Sequence, residues 1–447
     1  MLKYDKNVSS CWKEIILKRW NIILLIRFTK KDESHDSSVM DLRLIYLLTG
    51  ENQNICMIAD NDQSIYAFRG AKIEAVMNMR NIFTGMRVHL LNTNYRSTSM
   101  IVDASKSLIS NNKQLVEKSL RSNNEKGNPI IFFPEKDPMA ESARIVKLIE
   151  LSVKKYGYKY SDIAILYRMN YLSRQIEDAL LKYRIPYKIV GGTNFYSRKE
   201  IKDIISYFRL IINPNDTIAF SRAINTPKRG LGDKTVEKII DFAKTNSCNL
   251  IEALEQINLT GKAKSSAKDF LDIVGELSVE METNTPDIAI ETMLRITGYI
   301  PYIRESEKKN IADDRIENIQ ELIELATHFE SMEELSDNIN LDSTIAEQNQ
   351  DEENCVQLLT MHSSKGLEWN IVIIAGSNEG VIPSYRATTE ADYEEERRLM
   401  YVAVTRAKKL LFITRPIYTL KQGSYIRTQE SRFVTEIDKQ YMYRYAE

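Results

Sequence analysis

The chain has 447 residues, 43% hydrophobic and 28% charged, the proportions of an ordinary soluble globular protein with room for two or three domains. Its 61 Lys and Arg balance 62 Asp and Glu to a net charge of −1, so no overall basic field announces a nucleic-acid partner, although a local groove needs only a few arginines and lysines. Cys11, Cys56, Cys248 and Cys355 lie far apart without a CxxC pair, which argues against a zinc or disulfide framework and for a reducing cytoplasm. The longest early apolar run, Ile22 to Ile26, falls far short of the roughly 20 residues that span a bilayer and lacks a secretory cleavage pattern, so no membrane partner is expected.

Residues 1 to about 31 are mixed and basic, with no clear period. Lys31-Asp32-Glu33-Ser34-His35-Asp36 follows, an acidic stretch that reads by itself as a solvated loop. Ile55 to Ala59 is a buried strand by length and apolarity, and it runs into Asp60-Asn61-Asp62-Gln63-Ser64-Ile65-Tyr66-Ala67-Phe68-Arg69-Gly70. Tyr66 and Phe68 read there as core residues or as faces for stacking. Next is Asn92-Thr93-Asn94-Tyr95-Arg96-Ser97, a polar loop. Asp162 to Arg168 is a strand, Ser173 to Tyr183 has helical apolar spacing, and Ile185 to Gly192 reads as strand and turn. Asn213-Pro214-Asn215-Asp216 breaks the pattern and marks a domain boundary.

Residues 217–353 are helical in pattern, and they contain the turn Pro227-Lys228-Arg229-Gly230-Leu231-Gly232. That turn is a plain interhelical connection, or a set of backbone N–H donors at a helix start that can take a duplex phosphate. Asp337 to Asn354 reads as an acidic, mobile connector. From Val356 to Thr414 the pattern is strand, polar turn, strand, loop, helix, strand, with apolar runs at Ile371–Ala375 and Leu410–Thr414. Such continuous apolar strands indicate a parallel sheet buried on both faces, where ligands gather at strand ends and helix starts. Thr360, His362 and Lys365 cluster at such an end, and Arg406 lies on the helix beginning near Glu394, toward the next strand.

Two blocks, Thr360–Trp369 (TMHSSKGLEW) and Glu394–Lys409 (EEERRLMYVAVTRAKK), resemble motifs V and VI of the UvrD/Rep family of DNA helicases. The resemblance implies an α/β fold of RecA-like P-loop NTPase lobes, with ATP between them and single-stranded DNA across their top. By that resemblance, residues 1–97 form a truncated first lobe and 98–212 with 354–447 a complete second lobe. Residues 213–353 form an all-helical inserted subdomain.

Asp32-Glu33 matches the family's motif II, in which the first acid holds Mg²⁺ and the second activates water, although His35 replaces a glutamine there. Asp60–Ala71 resembles motif III: Gln63 then couples hydrolysis to DNA, while Tyr66, Phe68 and Arg69 meet DNA, base stacking being worth about 1–3 kcal/mol per base. Asn92–Ser97 resembles motif IV, which makes Tyr95 an adenine platform and Arg96 a γ-phosphate ligand, a role suited to a planar guanidinium. In motifs V and VI, Thr360 and His362 would touch the DNA backbone, Glu368 the ribose and Arg406 the γ-phosphate. Lys228, Gly230 and Gly232 match a family turn that meets duplex DNA.

No GxxxxGK(S/T) phosphate loop occurs in the chain; Gly230–Thr235 has the wrong spacing and follows no strand. Two alternatives stay open. The first is an ATP- and Mg²⁺-dependent 3′–5′ DNA helicase or translocase acting at single-strand/duplex junctions, its missing loop supplied by a separate chain. The second is a non-catalytic DNA-binding or regulatory fragment, the product of a truncated or split helicase gene.

Overall fold

The computed structural model describes residues 29–49, 54–83, 85–113, 118–339, 353–421 and 424–445. Most of the basic N-terminal stretch, and the greater part of the acidic connector between Asp337 and Asn354, lie outside the described residues.

The chain opens with a small α/β segment. Strand β1 (Thr29–Lys31) pairs in parallel with β2 (Ile55–Met57), and helices Val39–Thr49 and Ile73–Ile82 pack through Leu42, Ile45, Val76 and Met79. Its outer face keeps Met40, Leu44, Leu48 and Ile58 exposed. A short parallel pair follows, β3 (Thr93–Asn94) with β4 (Arg121–Ser122).

The main sheet has seven strands: β5 (Ile130–Glu135), β6 (Ile163–Tyr167), β7 (Tyr187–Ile189), β8 (Val356–Thr360), β9 (Trp369–Ile374), β10 (Ala407–Pro416) and β13 (Met442–Arg444). They run in the order β13-β5-β10-β9-β6-β8-β7, every neighbouring pair parallel. Between β10 and β13 lies a two-stranded hairpin, β11 (Tyr418–Lys421) with β12 (Ser424–Arg427). Side chains on a strand alternate between faces, and here both faces are covered. Ala164, Leu166, Val372 and Ile374 enter one core with helices Ser99–Ile109 and Glu390–Val404. Ile163, Ile165, Ile371 and Ile373 enter the other, under helices Pro138–Lys154 and Ser173–Lys182. That two-sided burial explains why β6 and the Ile371–Ile374 part of β9 read as unbroken apolar runs.

The sequence reading did not mark β5 and β13. β5 carries Pro134 near its end, and β13 is a three-residue edge strand of mixed polarity. Helix Glu390–Val404 starts earlier than expected, at a capping box of Thr389 and Asp392, and ends before Arg406, which therefore sits in the turn leading into β10.

A helical block spans the chain from Phe195 to Ile339 around a single core. Helix Lys199–Ile212 belongs to that core through Ile201, Ile204 and Phe208, so the break at Asn213–Asp216 is a turn inside the block. Asp216 explains it: its carboxylate accepts from the N–H groups of Ile218 and Ala219 and so starts the next helix. Among the described residues no helix is long and apolar enough to cross a membrane.

Phe270 is fully buried in the block, its ring 6.1 Å from Tyr207 and 6.3 Å from Phe220. Phe270→Ala is expected to lower the unfolding free energy by about 3–5 kcal/mol, read from urea denaturation by circular dichroism.

Candidate functional site

Lys365 joins the N-terminal segment to the main sheet. β8 ends at Thr360, whose hydroxyl accepts the Ser363 N–H at 3.2 Å and pairs with the Ser363 hydroxyl at 2.9 Å, closing the short helical turn His362–Ser364. The turn sends the Lys365 side chain, only 8% exposed, across to the other segment. Its ammonium lies 2.6 Å from both Asp36 carboxylate oxygens and 2.9 Å from the Gln63 carbonyl, and 5.1 Å above the Tyr66 ring. His35 Nε2 is 2.8 Å away. Sequence reasoning gave Lys365, His35 and Asp36 no role; the histidine in place of the family's glutamine was the available signal.

The acidic stretch does not fit a divalent cation in this arrangement. Glu33, His35 and Asp36 are the one group of three such ligands converging among the described residues, and the Lys365 ammonium already lies against Asp36 and His35. His35 Nδ1 accepts the Asp60 N–H at 2.9 Å, and Nε2 is crowded between the Lys365 ammonium at 2.8 Å and Glu33 at 3.0 Å, so neither ring nitrogen is free to ligate. Burial first, and Lys365 second, hold the His35 pKa below its ordinary value. Asp32, the expected Mg²⁺ ligand, stands outside this group: its carboxylate is 62% exposed, 3.9 Å from Lys30, and accepts the Glu33 N–H. Glu33 itself is held at φ +48°.

The arginines meet at the opposite, amino edge of the sheet, where Trp369 of β9 pairs with Ala407 of β10. Arg406 is 1% exposed and donates to the carbonyls of Val402 (2.9 Å) and Leu367 (3.2 Å) and to the Thr405 hydroxyl (3.2 Å). Its remaining reach is a long 3.5 Å contact to Gln63 Oε1. Burial, and then the nearby Arg96, lower its pKa to about 10, so it stays charged at neutral pH. Arg96 pairs with Glu368, and Lys408 approaches the same carboxylate at 2.9 Å. Hydrogen bonds from Lys408 and Arg96 bring Glu368 down to about 2. Three cations around one carboxylate leave an excess of positive charge, which suits a polyphosphate. Tyr95 beside them is 74% exposed, an open ring rather than a packed one.

Gln63 links this edge to the Lys365 contact, since its amide donates to Asp60 at 2.6 Å while its carbonyl accepts from Lys365. Lys118 pairs with Asp60 and, at 2.8 Å, with Asp62, fixing the loop that carries Gln63. Beyond Lys365, the Tyr66 hydroxyl donates to the His362 carbonyl at 3.4 Å and Arg69 stacks 4.8 Å over the Tyr66 ring. The Phe68 side chain lies outside the described residues.

With this geometry in view, comparison with known proteins is decisive. The model of the UvrD-like helicase C-terminal domain matches residues 89–416, and that of the UvrD/REP helicase N-terminal domain matches 12–84. The chain belongs to the UvrD/Rep family of helicases. Its relatives include the ATP-dependent DNA helicase PcrA of Staphylococcus epidermidis, 36% identical over 418 residues, and that of Bacillus subtilis, 37% identical over 422. Each alignment covers 91% of this chain and 57% of the relative, so the chain spans little more than half the length of these helicases. A solved C-terminal domain of a possible DNA helicase from Lactobacillus plantarum WCFS1 aligns with 78% of this chain and 98% of its own, at 10% identity and a TM-score of 0.30, too low to argue from.

In this UvrD/Rep chain, the residues singled out from sequence divide into three places. Gln63, Arg96, Glu368 and Arg406 gather at the amino edge, and Tyr66, Arg69, Thr360 and His362 gather around the Lys365 turn. Lys228, Gly230 and Gly232 sit apart in the helical block. There Gly230 takes φ +78°, the Arg229 guanidinium donates to the Ala223 carbonyl at 3.0 Å, and Gly232 precedes helix Asp233–Asn246, leaving Lys228 exposed.

Two measurements check this geometry. Burial, then Arg168 and Arg69, push His362 down to about 3. The fold thus favours neutral imidazole, so this contribution is full above the ordinary histidine pKa of about 6.5 and is lost as pH falls toward the folded value. In an NMR titration, the imidazole resonance that disappears in His362→Gln should stay neutral down to about pH 4. Lys365→Met strands Asp36 and the Gln63 carbonyl; a loss of about 1.5–3 kcal/mol is expected, seen as faster protease cleavage between residues 29 and 83.

Proposed function

We propose that this chain forms the phosphate-sensing and DNA-tracking part of an ATP-dependent 3′–5′ DNA helicase or translocase. The observation that carries the reading is Arg406, a charged, buried guanidinium that touches Gln63 across the boundary between the N-terminal segment and the main sheet. We assign residues 1–97 to a first RecA-like lobe, 98–194 and 354–447 to a second, and the helical block from Phe195 to Ile339 to an inserted subdomain. The exposed Met40, Leu44 and Leu48 support a first lobe that packs against further structure.

ATP supplies a polyphosphate whose charge distribution changes on hydrolysis. Arg406 and Arg96 are the side chains for its terminal phosphate, Glu368 for its ribose, and the exposed Tyr95 for its base. Arg406 holds Gln63 only through a 3.5 Å contact, so its outer nitrogen can turn to an oxyanion at small cost. Gln63 is bonded through its carbonyl to Lys365, and Lys365 belongs to the turn that meets Tyr66. A shift at the phosphate therefore reaches Tyr66, Phe68, Arg69, Thr360 and His362, the side chains for single-stranded DNA, while Lys228, Gly230 and Gly232 serve the duplex. No metal role is proposed for Glu33 or Asp36, because Lys365 lies against both, nor for Asp32, whose exposed carboxylate stands apart from them.

With no phosphate loop in the 447 residues, hydrolysis needs one from elsewhere. Purified chain alone should show no DNA-stimulated ATP turnover, yet bind single-stranded DNA with an affinity that falls with salt by a log–log slope of about 0.7 per phosphate contact. A relative's phosphate-loop segment added in trans should restore turnover, and Arg406→Ala should abolish the restored activity. Turnover by the chain alone would overturn the need for an outside loop. Restored turnover that ignores Arg406→Ala would remove Arg406 from the site. DNA binding with no restorable turnover favours the second reading, a non-catalytic DNA-binding or regulatory fragment.

A further inference from the structure

At the carboxyl edge of the sheet, the helical block roofs a cavity of about 1620 Å³. Its floor is formed by residues just past the strands, Leu172 after β6, Gly376 after β9 and Pro416 at the end of β10; Leu294, Ile316 and Ile323 of the block close it from above. Arg406 and Glu368 lie at the other end of the strands, so the six residues of β9 set the two places roughly 20 Å apart. The space exceeds the roughly 300–1,000 Å³ of ordinary small-molecule sites, and an apolar cavity of this size suits a stretch of polypeptide.

Its charge is one-sided. Seven of the lining side chains are acids and one, Arg295, is a cation that already lies 3.5 Å from Glu276. Four of the acids are satisfied within the chain: Glu141 by the Thr414 hydroxyl, Glu317 by Arg386, Glu321 by Arg174 and Glu379 by Arg432. Asp287, Glu291 and Glu324 have no ion-pair partner among the described residues. A second observation points the same way: Gln175 lines the cavity, and its Oε1 is buried without a hydrogen bond. Burial, with Glu321 beside it, raises Glu324 to about 7 against the pull of Arg174. An apolar wall that ends in unpaired acceptors calls for apolar residues interleaved with cationic donors, and it repels nucleic acid.

We propose that this cavity binds a basic segment of a partner protein, a short peptide with Lys or Arg side chains set between apolar ones. The test is fluorescence anisotropy of the full chain with a short fluorescein-labelled peptide of alternating lysines and leucines. Saturable binding is expected, weakened about tenfold or more by Glu324→Lys and by Glu291→Lys. Glu237→Lys, on an exposed helix position outside the cavity, should leave it unchanged. Glu324→Gln, a smaller change, should weaken binding in the same direction with an unaltered thermal melt. Equal weakening by all three lysine variants, no weakening by the cavity variants, or no saturable binding would each overturn the proposal.

Discussion

The ammonium of Lys365 is the one charge that both halves of the described site need. It lies beside His35 and between the Asp36 carboxylate and the Gln63 carbonyl, two acceptors that would otherwise face one another in a half-closed boundary. A lysine suits the place because a compact ammonium can reach several oxygens that share no plane, whereas a guanidinium fork prefers one planar partner. The small N-terminal segment has a modest core of its own, built on Leu42, Ile45, Val76 and Met79. Its position against the main sheet therefore leans on polar ties: Lys365 to Asp36, Arg398 to the Ser64 carbonyl at 3.0 Å, and the Ala67 N–H to Glu395 at 3.1 Å.

The main sheet supplies the rigidity those ties require. Its central strands are packed on both faces, so the residues leaving each strand end are fixed by cores rather than by loop chemistry. The two edges take opposite charge. At the amino edge, Arg96, Arg406 and Lys408 crowd one glutamate. At the carboxyl edge, beneath the helical block, seven acids line the cavity, and three of them have no ion-pair partner among the described residues. A near-zero net charge thus conceals two fields of opposite sign, separated by the length of a strand.

Much of this was legible in the chain itself. The apolar runs of β6, β9 and β10 announce a doubly covered parallel sheet, since no half-exposed strand tolerates four consecutive isoleucines and valines such as Ile371–Ile374. The motif blocks identified the family. Less legible were features set by context. Pro134 hides β5, because a proline reads as a strand breaker unless its position in the ladder is known. The Asn213–Asp216 break reads as a boundary because a capped turn and a linker share the same residues.

The sequence by itself determined the family and the central strands of the sheet and singled out Arg96 and Arg406, because these depend on local periodicity and on blocks of adjacent residues. Only the tertiary structure decided that Lys365, some 330 positions from His35, occupies the meeting point of the acids. It also decided that Asp32 stands outside that group and that three carboxylates of a roofed cavity have no ion-pair partner among the described residues. The reason is physical: whether a carboxylate holds a metal, a lysine or nothing depends on which distant charge the fold brings within about 4 Å of it, and no local pattern in a chain records that distance.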